Sequence, residues 1–187
     1  MIFAPTPSQT VGPYFSIGLP WPEGSHVVAP GTPDAITITG TVYDGAGAPV
    51  PDSLIEIWQA DAQGNFADLH DHGGPSTQVG FRGFARYGQE QGDGRYEILT
   101  VKPGRVPALG GGEQAPHIDV SVFARGMLHR CVTRIYFADE PDANATDAVL
   151  ARVPAQRRET LLAEPVTGGY RFDIHLQGPG ETVFFAV

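Results

Sequence analysis

His117 and Asp119, in the stretch PHIDV, are the pair in this sequence whose types and spacing best suit chemistry. If the stretch is a strand, both side chains leave the same face, roughly 6.6 Å apart along it. Such a pair can give two ligands to one metal ion, which then needs one or two more from elsewhere. His70, Asp71 and His72 in DLHDHGG, and His129, are the candidates to complete that set. The same pair could equally be a hydrogen-bonded polar couple with no metal, and the glycine-flanked triplet a solvated loop. Spacing leaves both readings open.

Arg134, in TRIYF, is the other residue to account for. Its neighbours are apolar, so it either pairs with a carboxylate, Asp173 or Glu56 being candidates, or faces a pocket. Other catalytic templates are missing: there is no GxSxG elbow and no GxxxxGK[ST] phosphate loop, and Gly110-Gly111-Gly112 reads as a flexible loop. Twelve Lys and Arg against 21 Asp and Glu give a net charge of −9, which repels phosphate backbones and argues against nucleic-acid binding. An anionic ligand would need a local arginine. The single cysteine, Cys131, cannot form an internal disulfide and reads as a small buried hydrophobe. No apolar stretch approaches the ~20 residues needed to span a bilayer, and MIFAPTPSQ lacks the basic region of a secretory signal. A cytoplasmic protein is expected.

The elements that must position these residues are mostly strands. At 187 residues one domain with a sizeable core is expected, and 24 Gly with 17 Pro favour short strands and turns over long helices. Seven prolines in the first 33 residues predict an extended, irregular N-terminal arm over 1–33. Its apolar residues, among them Val11, Tyr14, Ile17 and Trp21, imply that it packs on something. Period-two patterns predict strands over 36–44, 53–60, 94–101, 117–124, 129–137, 169–176 and 181–187. Seven such strands predict an all-β domain over 34–187, an antiparallel β-sandwich. The stretches 61–80 and 102–116 read as long loops. One short helical segment is expected near 144–163, capped by Asn144 and interrupted at Pro154.

Several long stretches carry a resemblance. TPSQTVGPY, VYDGAGAPVPDSLIEIWQADAQGNF, TVKPG, APHIDVSVFARG, TRIYFADE, QRRETL and YRFDIHLQGPGETVFF together resemble the intradiol ring-cleaving dioxygenases over nearly the whole chain. The family's β-sandwich agrees with the strand count. In its heteromeric members a catalytic β chain holds non-haem Fe(III) with two Tyr and two His. One His pair there reads His-Ile-His where this chain has His117-Ile118-Asp119. One Tyr stands in a Pro-Tyr-Pro triplet after Lys-Pro-Gly, where this chain has Val106. No counterpart of the second Tyr is found between 66 and 84. Only His117 therefore survives of four ligands, and PHIDV reads as the remnant of an iron site.

The resemblance implies that this chain binds no metal itself and is inactive alone. It would form one wall of an active site whose Fe(III) belongs to the partner β subunit, in an assembly of several αβ pairs. The expected substrate is protocatechuate, a catechol with a carboxylate, opened by O2 to 3-carboxy-cis,cis-muconate. Thr10, Gly12, Pro13, Tyr14 and Arg134 are the implied substrate-binding residues. Arg134 suits the carboxylate, Gly12 close approach and Tyr14 an aromatic edge. His117 and Asp119 are expected to hydrogen-bond to each other where the iron was. An independent metalloenzyme using His117, Asp119, His70 and His72, and a non-enzymatic β-sandwich binding module, are the alternatives.

Overall fold

The structure is a computed structural model that describes residues 5–12, 14–67, 78, 80–88 and 93–186. Among these residues, strands β1 (Ala35–Tyr43), β2 (Leu54–Trp58), β3 (Phe84–Gly88), β4 (Arg95–Val101), β7 (His117–Phe123), β8 (Cys131–Phe137), β9 (Leu162–Val166), β10 (Gly169–Arg171) and β11 (Ile174–His175) form one sheet. Its order is β11-β1-β10-β9-β8-β7-β2-β3, with β4 also paired to β1. The strands β5 (Val106–Pro107) and β6 (Glu113–Gln114) make a separate hairpin.

The expected antiparallel sandwich needs correcting. β1 runs parallel to β10 and to β11, and β8 runs parallel to β9. The sheet is mixed and curls until β3 lies beside β4, nearly closing a barrel. Several boundaries change with it. The predicted strand over 169–176 breaks at Phe172–Asp173. There the Tyr96 hydroxyl donates to the Phe172 carbonyl, and the Thr41 N–H donates to Asp173 Oδ1 at 2.9 Å. Position 40 has to be glycine, because a Cβ would collide with the Phe172 carbonyl. Residues 181–186 are not a strand, although Thr182 and Phe185 donate to His175 and Val132. β3 and β9 had no prediction. β9 holds the edge of β8 with only Tyr136 and Phe137 paired, a contact that periodicity does not display.

The predicted helical segment is real but broken and shifted. It comprises a helix over Pro141–Thr146 and 3₁₀ turns over Leu150–Arg152 and Ala155–Leu161, after which Leu162 already belongs to β9. Asn144 lies inside the first helix and donates to the Phe137 carbonyl, so it is no cap. The capping carboxylate is Asp147. Its Oδ1 accepts from the N–H groups of Val149 (2.9 Å) and Leu150 (2.7 Å) and from the Tyr136 hydroxyl (3.1 Å). Its Oδ2 accepts from the Ala115 N–H at 2.8 Å.

Alternation along the strands makes two faces. Ile118, Val120 and Val122 of β7, Ile135 and Phe137 of β8, and Ile55 and Ile57 of β2 enter the main core with Ile38, Val42 and Ile98. The opposite face of β8 is covered by the helical segment, where Tyr136, Ala143, Leu150, Val153 and Leu161 form a second apolar cluster. Cys131 is half-buried against the main core. The end of the arm joins that core through Val27 and Val28, and Trp21 stacks on Phe84. Among the described residues no helix is long and apolar enough to cross a membrane.

Asp147 is fully buried and ties the segment after β8 to the residue two before β7. Asp147→Ala leaves those buried donors unanswered and is expected to cost roughly 3–5 kcal/mol, read as a lower denaturant midpoint with an unchanged slope. A loss below about 1 kcal/mol would show that the carboxylate is not needed there.

Candidate functional site

The register of three strands assembles the site. Trp58 of β2 lies opposite Asp119 of β7, which lies opposite Arg134 of β8. His117 lies opposite Tyr136 in the same pairing. All five side chains occur at the parity that points away from the main core, so His117 and Asp119 share a face as expected. The β5–β6 hairpin covers them. Between hairpin and sheet is a cavity of about 490 Å³, lined by Trp58, Phe66, Val106, Leu109, His117 and Arg134, with Gln114 and Asp119 at its polar side. Trp58 and Phe66 stack with ring planes 7° apart and make its aromatic wall.

The polar groups are committed in a way the sequence did not suggest. Arg134 Nε donates to Asp119 Oδ1 at 2.8 Å, and Nη1 donates to Gln114 Oε1 at 2.7 Å. His117 Nδ1 lies 2.7 Å from the Ala115 carbonyl, which can only accept, so Nδ1 carries the proton. The expected His117–Asp119 hydrogen bond is therefore replaced: each residue has another partner. Neither suggested carboxylate pairs with Arg134, since Glu56 is taken by Arg86 and Asp173 by Arg171. Arg134 does both things foreseen as alternatives: it pairs with a carboxylate and faces a pocket.

Electrostatics follow from this packing. Burial pushes the His117 pKa below its ordinary 6.5, and the Arg134 guanidinium pushes it further; Asp119 opposes both and does not win. The imidazole is therefore neutral at neutral pH. Burial works against the charge on Arg134, but Asp119 and Tyr136 outweigh it and raise its pKa. Burial also raises the Tyr136 hydroxyl pKa strongly, so it stays protonated and donates to Asp147.

A ferric ion does not fit this donor set. Val106 has no donor atom, His117 can offer only Nε2, and among the described residues the one carboxylate lining the cavity is hydrogen-bonded to a guanidinium. A hard trivalent cation needs anionic oxygen ligands and would be repelled by Arg134. His129 is exposed on the β7–β8 turn, away from His117. His70, Asp71 and His72 lie outside the described residues. Among the described residues no group of three His, Cys, Asp or Glu is placed to hold a metal.

The arm residues lie elsewhere in the chain. Thr10 Oγ1 accepts from the Gly126 N–H at 2.8 Å, at the β7–β8 turn, roughly 13 Å or more up the strands from Arg134. Among the described residues nothing lies within 4 Å of where a Gly12 Cβ would be, and Tyr14 is 78% exposed. Pro13 lies outside the described residues. One chain alone therefore does not bring Thr10 and Arg134 together. Trp58, Phe66, Gln114 and Asp147 escaped sequence reasoning. Only Trp58 carried a signal, its shared parity with Glu56 on the half-exposed side of β2.

Comparison with known proteins agrees over nearly the whole chain. Residues 11–178 match the family described as Dioxygenase. The protocatechuate 3,4-dioxygenase alpha chain of Burkholderia cepacia is 44% identical, over 97% of this chain and 97% of that one. The alpha chain from Pseudomonas putida is 43% identical over 96% and 95%. The Burkholderia cepacia beta chain is 34% identical over 80% of this chain and 67% of its own length. Among solved structures, the dioxygenase domain of a dioxygenase carbohydrate-binding protein fusion from Streptomyces sp. SirexAA-E superposes with a TM-score of 0.58 at 31% identity, covering 94% of this chain and 99% of that one.

The buried neutral histidine has a pH consequence. Its folded pKa lies below the unfolded value, so between the two the unfolded chain binds the extra proton and stability falls as pH drops below about 6.5. His117→Phe is expected to flatten the dependence of the denaturation midpoint on pH below 6.5. An unchanged slope would mean that His117 titrates normally.

Proposed function

The chain belongs to the intradiol dioxygenase family, and from that premise we propose that it is the α-type subunit of a heteromeric protocatechuate 3,4-dioxygenase. The enzyme would open protocatechuate with O2 to 3-carboxy-cis,cis-muconate. The family implies non-haem iron, and in this reading the Fe(III) belongs to a partner β chain. The observation that carries the assignment is the Arg134–Asp119 ion pair, which occupies the donor face a metal would need. Near-complete coverage of the two alpha-chain relatives, and lower identity to a beta chain, support it.

In this role the chain binds, orients and desolvates the substrate beside the partner's iron, which supplies the redox chemistry. Residues 1–33 would pack across the partner, with 34–187 as the β domain, in an assembly of several αβ pairs. The exposed apolar side chains of Tyr14, Ile17, Leu19 and Trp21 support that placement. Thr10, Gly12, Pro13 and Tyr14 would line the substrate site. The space at Gly12, clear among the described residues, leaves room for a ring to reach the backbone, and the Thr10 hydroxyl, which donates to the Val11 carbonyl and accepts from the Gly126 N–H, keeps one acceptor for it. Arg134 would bind the carboxylate through Nη2, which has no hydrogen bond among the described residues.

Two measurements test this reading. The chain purified alone is expected to contain almost no iron and no ring-cleaving activity, and to gain activity on co-expression with an iron-carrying β chain. About one iron per isolated chain would overturn the proposal. In the reconstituted enzyme, Arg134→Ala is expected to raise KM for protocatechuate about tenfold, corresponding to about 1.5 kcal/mol, with little change for unsubstituted catechol. Equal effects on both substrates would remove Arg134 from carboxylate recognition.

A further inference from the structure

We propose that Arg86 is a positioning residue: it clamps the arm over residues 19–21 and so fixes where Gly12 and Tyr14 are presented to the partner's active site. This rests on the subunit reading, in which those two residues line the substrate site. Arg86 lies opposite Glu56 in the pairing of β2 with β3. Its Nε donates to Glu56 Oε1 at 2.7 Å, and its Nη2 lies against the same oxygen. Its Nη1 donates to the Leu19 carbonyl at 3.1 Å. The guanidinium carbon stands 5.3 Å from the Trp21 ring centroid and 5.6 Å from that of Phe84, and the Arg86 and Glu56 side chains are each 22% exposed. A planar fork with all three nitrogens committed, lying on two ring faces, holds one geometry.

Hydrogen bonds carry that geometry up the arm. The Leu19 N–H donates to the Phe15 carbonyl, the Ile17 and Gly18 N–H groups to the Tyr14 carbonyl, and the Phe15 N–H to the Gly12 carbonyl, at 2.9–3.2 Å. This helical turn, Phe15–Gly18, is only four residues long, and a turn that short does not hold its place in water unaided. Ser16 faces inward at 2% exposure, while Tyr14, Ile17 and Leu19 face out. At its upper end the arm is held by Thr10 on the Gly126 N–H, and at its lower end by Arg86 on Leu19. Beyond the clamp the chain is fixed by backbone alone. The Gly24, Ser25 and Val27 carbonyls accept from the N–H groups of Arg86, Leu99 and Arg82, so that residues 24–27 fill the seam between β3 and β4. Losing the Arg86 fork therefore frees the lower end of the arm and leaves the seam closed.

The test is steady-state kinetics of the reconstituted enzyme carrying Arg86→Met or Arg86→Lys. Met fills the space between the rings and donates nothing. Lys leaves a cation for Glu56, which protects the fold, but has no planar fork to hold Glu56 and Leu19 together. Each variant is expected to raise KM for protocatechuate about five- to tenfold with kcat within about twofold, because an arm in place for only a fraction of the time weakens apparent affinity by that fraction. Unsubstituted catechol should be affected equally, since the arm meets the ring and not the carboxylate; Arg134→Ala is expected to give the opposite pattern. Combined with Tyr14→Ala, Arg86→Lys should raise KM no further than the more affected single variant, because both act through one segment. In an enzyme whose wild type is active, an unchanged KM, a rise confined to protocatechuate, or additive effects with Tyr14→Ala would overturn the clamp. A wild-type pair without ring-cleaving activity would instead overturn the subunit reading, and the role of Arg86 with it.

Discussion

Six consecutive residue pairs, from His117 opposite Tyr136 to Val122 opposite Cys131, lock β7 against β8, and the site depends on that register. A slip of one residue would turn Ile118, Val120 and Val122 out of the core and bring His117 and Asp119 into it. Magnitudes show which effect sets the register. Burying Ile118, Val120, Val122, Ile135 and Phe137 is worth roughly 1.5–3 kcal/mol for each large side chain. The half-exposed Arg134–Asp119 pair contributes on the order of 1 kcal/mol. Core packing therefore fixes the register, and the ion pair follows from it.

That ordering explains why the outward face of β2, β7 and β8 can vary without disturbing the fold. The outward parity of β2, β7 and β8 is not needed for the main core, so its residues can change at little cost to stability. A face offering one imidazole and no phenolate would leave Asp119 a weak, lone anionic ligand. Opposed to Arg134, the same carboxylate is paired and hydrogen-bonded, and the two charges answer each other. With a net charge of −9 over the chain, a retained guanidinium also keeps one local centre of positive potential.

The outer layer is held by a different device. Asp147 joins the helical segment, the entry to β7 and the Tyr136 hydroxyl through one buried carboxylate. Tyr136 in turn stands beside His117, with ring centroids 5.9 Å apart. The back wall of the cavity is thus coupled to the packing of the segment over 141–161. The front wall is the β5–β6 hairpin, tied down by Gln114, whose side chain bonds both Arg134 and the Pro107 carbonyl.

The sequence by itself determined the strand-rich class, most of the main strands and the shared face of His117 and Asp119. Each follows from period-two alternation or from residue identity, which are local properties. It also carried the family, through long stretches such as APHIDVSVFARG. Only the tertiary structure decided the parallel pairing of β1 with β10 and β8 with β9, because strand direction depends on where the chain returns. It alone chose Asp119 over Asp173 and Glu56 as the partner of Arg134, since cross-strand neighbours are set by register between segments 15 residues apart. The role of Asp147 was hidden for the same reason: a carboxylate in a turn reads as solvated until the donors around it are brought together in space.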